Sequence, residues 1–545
     1  MVGVRQDDRV SITVIRNATV FDGFTHRGAV GDVVVERGRI AAIGEDVAPV
    51  GARVVDVAGG LLLPGFTDAH VHPIQGGLER LGCDLSELPV DSAAYLTRVR
   101  AFAHDHRVQS WIQGGGWAMA AFPGGLPTAA ALDEVVADRP VALVNRDHHG
   151  MWVNTRALEL AGITRHTPDP HDGRIERDAD GEPTGCLHEG AMDLLAGVVP
   201  AASDDEMHAG LMEGQRYLHS LGVTGWQDAI VGTYSNMRDG GPTYARAAAA
   251  GDLTGTVVGA LWWERDRGVE QVAELVQKRA DWSRGRFGAT SVKVMQDGVA
   301  ENGTAALVEP YLDRCGHATH NTGISFVDPA DLEVYVAALD AHGFQVHVHG
   351  LGDRGVREAL DAFEGTDPGR RHHIAHLQLV HPDDVRRFAA LGVAANMQAL
   401  WACLDDQMTE LTIPFLGEER AGRQYPFGDL HRAGARLVAG SDWPVSTPDP
   451  LAAIHVAVHR TAYDEPGPAG TDPFLPGQAL DLDVAFAAYT SGSAWVNHRD
   501  DAGRIEVGAV ADLVVLDRDP FATPEEIGAA RVVSTWVDGE PVFEA

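Results

Sequence analysis

The stretch FTDAHVHP, residues 66–73, decides how this chain is read. In an extended strand, side chains two apart share a face, so His70 and His72 point to the same side. Pro73 and the pair Gly76-Gly77 stop the strand there and set both imidazoles at its C-terminal end. Neutral imidazole is a ligand for zinc and related divalent cations. A lone His-x-His is equally a pair of hydrogen-bonded core histidines, so the decision rests on the rest of the chain.

Downstream, apolar strand-like runs alternate with helical stretches, the pattern of a parallel sheet with crossover helices. Candidate strands fall at 66–72, 223–228, 256–262, 291–296, 344–349, 372–377, 393–397 and 436–440. Eight is the number of a closed (β/α)8 barrel, whose active sites lie at the C-terminal mouth of the strands. FQVHVHGLGD ends one strand with His347 and His349, HHIAHLQ ends another with His376, and VAGSDWP ends the last with Asp442. Each puts a ligand-type side chain where an apolar strand stops. His347 and His349 share a face, so spacing alone does not choose between them.

Lysine usage adds to this. The chain has 43 Lys plus Arg, yet its lysines are Lys278, in a polar helical stretch, and Lys293, inside the strand-like TSVKVMQDG. An ammonium aimed into a barrel beside a divalent cation is strongly unfavourable. A neutral amine there can take up carbon dioxide as a carbamate (N6-carboxylysine) and bridge two metals, which an always-protonated arginine cannot do.

Residues 11–63 are short β-rich pieces punctuated by Gly, Asn and Asp, and 503–517 with 531–542 share that grammar. The expectation is an α/β fold: a TIM-like barrel over 65–489, a small β-sandwich built from both chain ends (1–64 plus 490–545), and an insert or lid after strand one at about 80–220. The net charge of −35 disfavours nucleic acid and anionic membranes as partners. No run reaches the roughly 18 apolar residues of a membrane span. The start, Met1 to Arg9, is polar. Cys83, Cys186, Cys315 and Cys403 lie far apart with no CxxC, so no disulfide framework is indicated. A cytoplasmic protein is expected, acting on a small molecule; a homo-oligomer is compatible with the sequence, which does not give its order.

In the order His-x-His, Lys, His, His, Asp, the chain resembles the amidohydrolase superfamily, and within it the amidohydrolase-3 family, which includes N-substituted formamide deformylases. The resemblance rests on LLLPGFTDAHVHP, GGGW, RPVALVNRDHHGMWVN, DGRIERDADGEPTGCLHEGA, KVMQDG, VHVHGLGDRGV, GSDWPV, YTSGSAWV and GRIEVGAVADLVVLDRDP, in that order. It implies His70, His72, Lys293, His349 and His376 as ligands of one or two divalent ions, zinc foremost. Asp442 becomes both ligand and proton shuttle, and His349 is preferred over His347 because it precedes the Gly-Leu-Gly-Asp turn.

The chain departs from the family pattern at Ala375-His376, where Glu-His is usual, at Gln398-Ala399, where Gln-Pro is common, and at Asp147-His148-His149, where Asp-Gly-His is usual. His149 is a candidate for polarising the substrate. Trp117, Trp152, Trp226, Trp401 and Trp443 are candidates for an aromatic pocket around an apolar substituent. The implied reaction is hydrolysis of a C–N amide bond, an N-substituted formamide or related N-acyl compound being the most specific substrate. A deaminase or cyclic-amide hydrolase on a heterocycle would share the metal shell. A non-catalytic scaffold of this shape would be expected to have lost ligands, and this chain keeps the set.

Overall fold

The computed structural model describes residues 12–146, 148–170, 173–234, 237–463 and 472–545. Its centre is a sheet of eight strands. In chain order these are β1 (Phe66–Val71), β2 (Val223–Val231), β3 (Thr256–Trp262), β4 (Phe287–Met295), β5 (Gln345–Gly350), β6 (His373–His376), β7 (Ala394–Met397) and β8 (Leu437–Ala439). Each runs parallel to the next, and each coincides with one of the eight runs read from the sequence.

β1 and β8 share no ladder, yet the sheet curls until they meet. The N–H of Asp442 donates to the carbonyl of His70, and that of His72 to the carbonyl of Trp443, both at 2.8 Å. Gly440 permits this approach, since a Cβ there would lie 2.6 Å from the backbone nitrogen of His70.

Period-two alternation sorts the strand residues. Val292, Val294, Val346, Val348 and Ile374 join the large apolar cluster under the helices. Gln227, Ser291, Lys293, Gln345, His347, His373 and Asn396 are buried and polar. Several of these bond to strands that are not their neighbours: Gln227 on β2 reaches Gln345 on β5, and Asn396 on β7 reaches the carbonyl of Ala69 on β1. Such pairs meet only through the barrel interior.

Between β1 and β2 the chain makes the helix Pro73–Leu81 and then a six-stranded sheet that runs from Cys83–Asp84 to Pro183–Glu189, with its own apolar cores. It returns through the helix Asp204–Ser220, whose N-terminus is closed by a Ser203–Glu206 capping box. That helix lies against Pro73–Leu81 at glycine contacts; a Cβ on Gly77 would fall 1.8 Å from the carbonyl oxygen of Gly210.

The chain ends form two further sheets. One has four strands drawn from residues 12–56; the other has six and joins Thr19–Phe21, His26–Ala29 and Leu61–Pro64 to Leu513–Leu516, Val532–Val537 and Glu540–Glu544. In the second, Leu61, Leu63 and Val514 face the barrel's apolar cluster, while Leu62, Leu513 and Val515 pack with Ile15, Val33 and Trp536. The central strands Leu61–Pro64 and Leu513–Leu516 are thus buried on both faces, so this sheet ties the chain ends to the barrel. Among the described residues no helix is long and apolar enough to cross a membrane.

Candidate metal centre

The side chains read from the strand ends converge at one mouth of the barrel. His70 Nε2 and His72 Nε2 each lie 3.0 Å from Asp442 Oδ1, across 370 residues of chain in the case of His72. Lys293 Nζ lies 3.5 Å from His70 Nε2. The His376 ring sits 4.8 Å from that of His70 and 4.3 Å from that of His349. His376, Leu377 and Asp442 all have positive φ, of 82°, 53° and 57°. Non-glycine residues rarely adopt that conformation, and held strain of this kind clusters at working sites.

Burial dominates the electrostatics. It pushes the His70 imidazole down to about 3, helped by Lys293, and holds His349 and His376 well below the usual imidazole range. These rings are therefore neutral and carry lone pairs. Burial also lowers the Lys293 amine to about 7, against the pull of Asp442. For Asp442 burial alone would raise the carboxyl, but His70 and His72 outweigh it and hold the group well below the carboxylate range.

The donor set fits a divalent cation. His70, His72 and Asp442 offer three donor atoms within 4.8 Å of one another. Two donors each about 2.0–2.1 Å from one ion and near a right angle apart are separated by about 3 Å, the spacing seen here. Beside them, His349 Nε2 and both ring nitrogens of His376 are buried without a hydrogen-bond partner. Orphaned polar atoms of this kind are costly unless something binds them.

His149 sits on the insert, just before the strand Gly150–Val153. Its Nδ1 lies 2.9 Å from Glu189, whose carboxylate also accepts from Asn302 Nδ2. The neighbouring His148, with φ of 64°, accepts from Gln75 Nε2. Asp147 lies outside the described residues.

The five tryptophans do not form one pocket. Trp401 stacks on His376 at 5.3 Å and 11°. Trp443 follows Asp442 in the chain, but its ring packs on Gly76 and on Tyr217. The expectation is corrected for the other three. Trp117 and Trp152 are buried in the core of the insert, their indole N–H groups donating to the carbonyls of Leu143 and Thr128. Trp226 points out of β2, opposite to Gln227, and covers Gly255 under the helices. Trp226 is a core residue because alternation along its strand sends it away from the mouth, and Trp117 and Trp152 because they face the insert's own apolar core.

Sequence reading passed over Gln227, His373 and Asp297, and left His347 open. Asp297 accepts from the N–H groups of Leu351, Gly352 and Ala306, fixing the turn after His349. The available signal was a polar residue at an inward position of an apolar strand.

Residues 53–543 match the amidohydrolase family. The chain is 28% identical over 545 residues to an N-substituted formamide deformylase of Arthrobacter pascens, covering 94% of each chain. It is 29% identical over 556 residues to the protein LONG AFTER FAR-RED 3 of Arabidopsis thaliana, covering 98% of this chain and 92% of the other. Among solved structures, an uncharacterized metal-dependent hydrolase from Pyrococcus furiosus superposes with a TM-score of 0.72 at 25% identity, covering 93% of this chain and 99% of that one.

Proposed function

The chain belongs to the amidohydrolase family, a family of metal-dependent hydrolases, and we propose that it cleaves the C–N amide bond of a small, largely uncharged substrate, an N-substituted formamide or a related N-acyl compound. The observation that carries this is the convergence of unpartnered imidazole nitrogens and one carboxylate at the barrel mouth. The similarity to a formamide deformylase along nearly the whole chain supports the substrate class.

His70, His72 and Asp442 would hold one ion, zinc being the divalent cation best matched to imidazole and carboxylate donors. His349 and His376 would hold a second, with Lys293 between the two. The lowered Lys293 amine supports its conversion, by uptake of carbon dioxide and loss of a proton, to a carbamate. When bound, such an ion supplies a water acidified to a pKa of about 7 and a Lewis acid for the carbonyl.

Asp442 is a carboxylate at neutral pH and faces the ligand side chains, so it is placed to take a proton from the attacking water and return it to the departing nitrogen. The Glu189 carboxylate orients the His149 ring through Nδ1, which suits this imidazole to polarising the substrate carbonyl. Trp401, stacked on His376, supplies an aromatic face for the substituent on nitrogen. The test is to incubate zinc-loaded protein with N-substituted formamides, N-acyl amines and cyclic imides or amino-heterocycles. Release of formate or another free acid together with an amine supports this reading. Ammonia from a heterocycle, or ring-opening alone, replaces it with a deaminase or cyclic-amide hydrolase.

A further inference from the structure

A rod of buried polar side chains crosses the barrel beneath the metal centre, and its hydrogen bonds are anchored at both ends by backbone carbonyls. At one end, Gln345 Nε2 donates to the carbonyls of Arg371 and Val496, at 2.9 and 2.7 Å. Gln345 therefore presents its oxygen inward, to the amide nitrogen of Gln227 at 3.0 Å. That same nitrogen also donates to Asn497 Oδ1 at 3.0 Å. Both amide hydrogens of Gln227 are thus used, and its oxygen faces two histidines, His347 Nδ1 at 2.7 Å and His373 Nε2 at 3.1 Å. An amide oxygen only accepts, so both of those nitrogens carry hydrogen.

At the other end, Asn396 Nδ2 donates to the carbonyl of Ala69 at 3.0 Å and to His373 Nδ1 at 3.1 Å. His373 Nδ1 is therefore bare, and its hydrogen is on Nε2, as Gln227 requires. The two ends fix the same pattern independently.

One link remains. His347 Nε2 lies 2.9 Å from His70 Nδ1. His347 is fully buried and its ring nitrogens face Gln227 and His70, with no hydrogen bond to a carboxylate among the described residues, an environment that disfavours a doubly protonated ring. With hydrogen on Nδ1, its Nε2 is an acceptor, and the donor must be His70 Nδ1–H.

We propose that the chain Gln345–Gln227–His347 is a tautomer lock: it holds the hydrogen of His70 on Nδ1 and so aims the Nε2 lone pair of His70 permanently at the metal centre. Gln227 and His347 are positioning residues, touching neither ion nor substrate. The lock also separates His347 from His349, which spacing alone left equivalent: the first braces a ligand and the second offers one. Outer partners of this sort set ligand orientation and commonly matter about 10- to 100-fold in metal affinity.

This inference rests on the reading of His70 as a ligand, and the test separates the two. His347→Leu removes the acceptor for His70 Nδ1–H, whereas His347→Gln restores an oxygen near the position of Nε2. Affinity for Zn2+ and Co2+ is measured by chelator competition on metal-free protein, together with the Co2+ visible spectrum and the denaturant midpoint of the metal-free form. The expected result is a loss of about 10- to 100-fold for His347→Leu, with near wild-type affinity and spectrum for His347→Gln. Equal losses in both variants, or none in either, overturn the lock. His70→Ala is the control: if it binds metal as well as the wild type does, the ligand reading itself is wrong. Should His347→Leu fail to fold, neutron diffraction of the unaltered protein decides. Deuterium on Nδ1 of both His347 and His70 is expected, and deuterium on His347 Nε2 overturns the proposal.

Discussion

Among the described residues, two places gather three metal-ligating side chains within reach of one another: His70, His72 and Asp442 at the barrel mouth, and Asp313, Cys315 and His317 on a loop. Composition is similar and the difference is in what surrounds the carboxylate. Asp313 Oδ1 accepts from the backbone N–H groups of Cys315 and His317, at 2.8 and 2.9 Å, so that oxygen is used in shaping the turn. The His317 side chain is 80% exposed, and its Nδ1 lies 3.4 Å from Asp313 Oδ2. At the mouth, Asp442 is buried and lies 3.0 Å from both His70 Nε2 and His72 Nε2, and burial keeps the His70 ring neutral. Beside them His349 Nε2 and both ring nitrogens of His376 are buried with no hydrogen-bond partner. Spacing makes a cluster, and buried imidazole nitrogens left without partners beside it make it a site for an ion.

Four perturbations sharpen that contrast. The largest effect is expected for His70→Ala or His72→Ala: purified protein should lose most of its bound divalent metal by elemental analysis, and hydrolysis with it. Full metal content in both variants would remove the basis of the comparison. Asp442→Asn keeps an oxygen at the same place but cannot carry a proton. Metal should remain, while kcat falls by about 10^2- to 10^4-fold; an unchanged kcat contradicts the shuttle.

The third perturbation addresses desolvation itself. Lys293 has a pKa of about 7 in the fold against 10.5 as an ordinary lysine, because of burial. Between those values the native state binds fewer protons than the unfolded state, so this group makes metal-free stability rise with pH, and its penalty is complete below about pH 7. Lys293→Met should therefore stabilise the metal-free protein near pH 7 by a few kcal/mol, roughly, with the gain shrinking toward pH 10. Urea unfolding at several pH values measures it, and an equal gain at all pH values would mean that the lysine is not desolvated.

How much of this was legible depended on whether a residue's partner is local. Strand ends, the His-x-His and the closing Asp442 announce themselves through alternation and stop signals, so the barrel and the converging side chains could be read from the chain. The tryptophans could not. Whether Trp226 faces a mouth or a helix depends on strand parity, and Trp117 and Trp152 depend on a sheet inside the insert whose register no local motif sets. Gln227 and His347 were illegible for a related reason: their meaning lies in partners more than 100 residues away, and a polar residue in an apolar strand signals only that some partner exists.

The smallest effect is expected at the loop, and it is the cleanest check on the argument. Asp313→Ala with Cys315→Ser removes two of the three side chains of the exposed group. The carboxylate there already has hydrogen-bond donors, and the imidazole is exposed to solvent and lies beside Asp313 Oδ2, so no buried, unmet lone pair draws an ion in. Metal content and kcat should match the wild type, with at most a small loss of stability from the turn that Asp313 holds. Sub-stoichiometric loss of metal in this variant, with hydrolysis intact, would show that ligand spacing alone suffices to bind an ion at an exposed site. The distinction drawn between the two clusters would then fail, even though the barrel mouth kept its role.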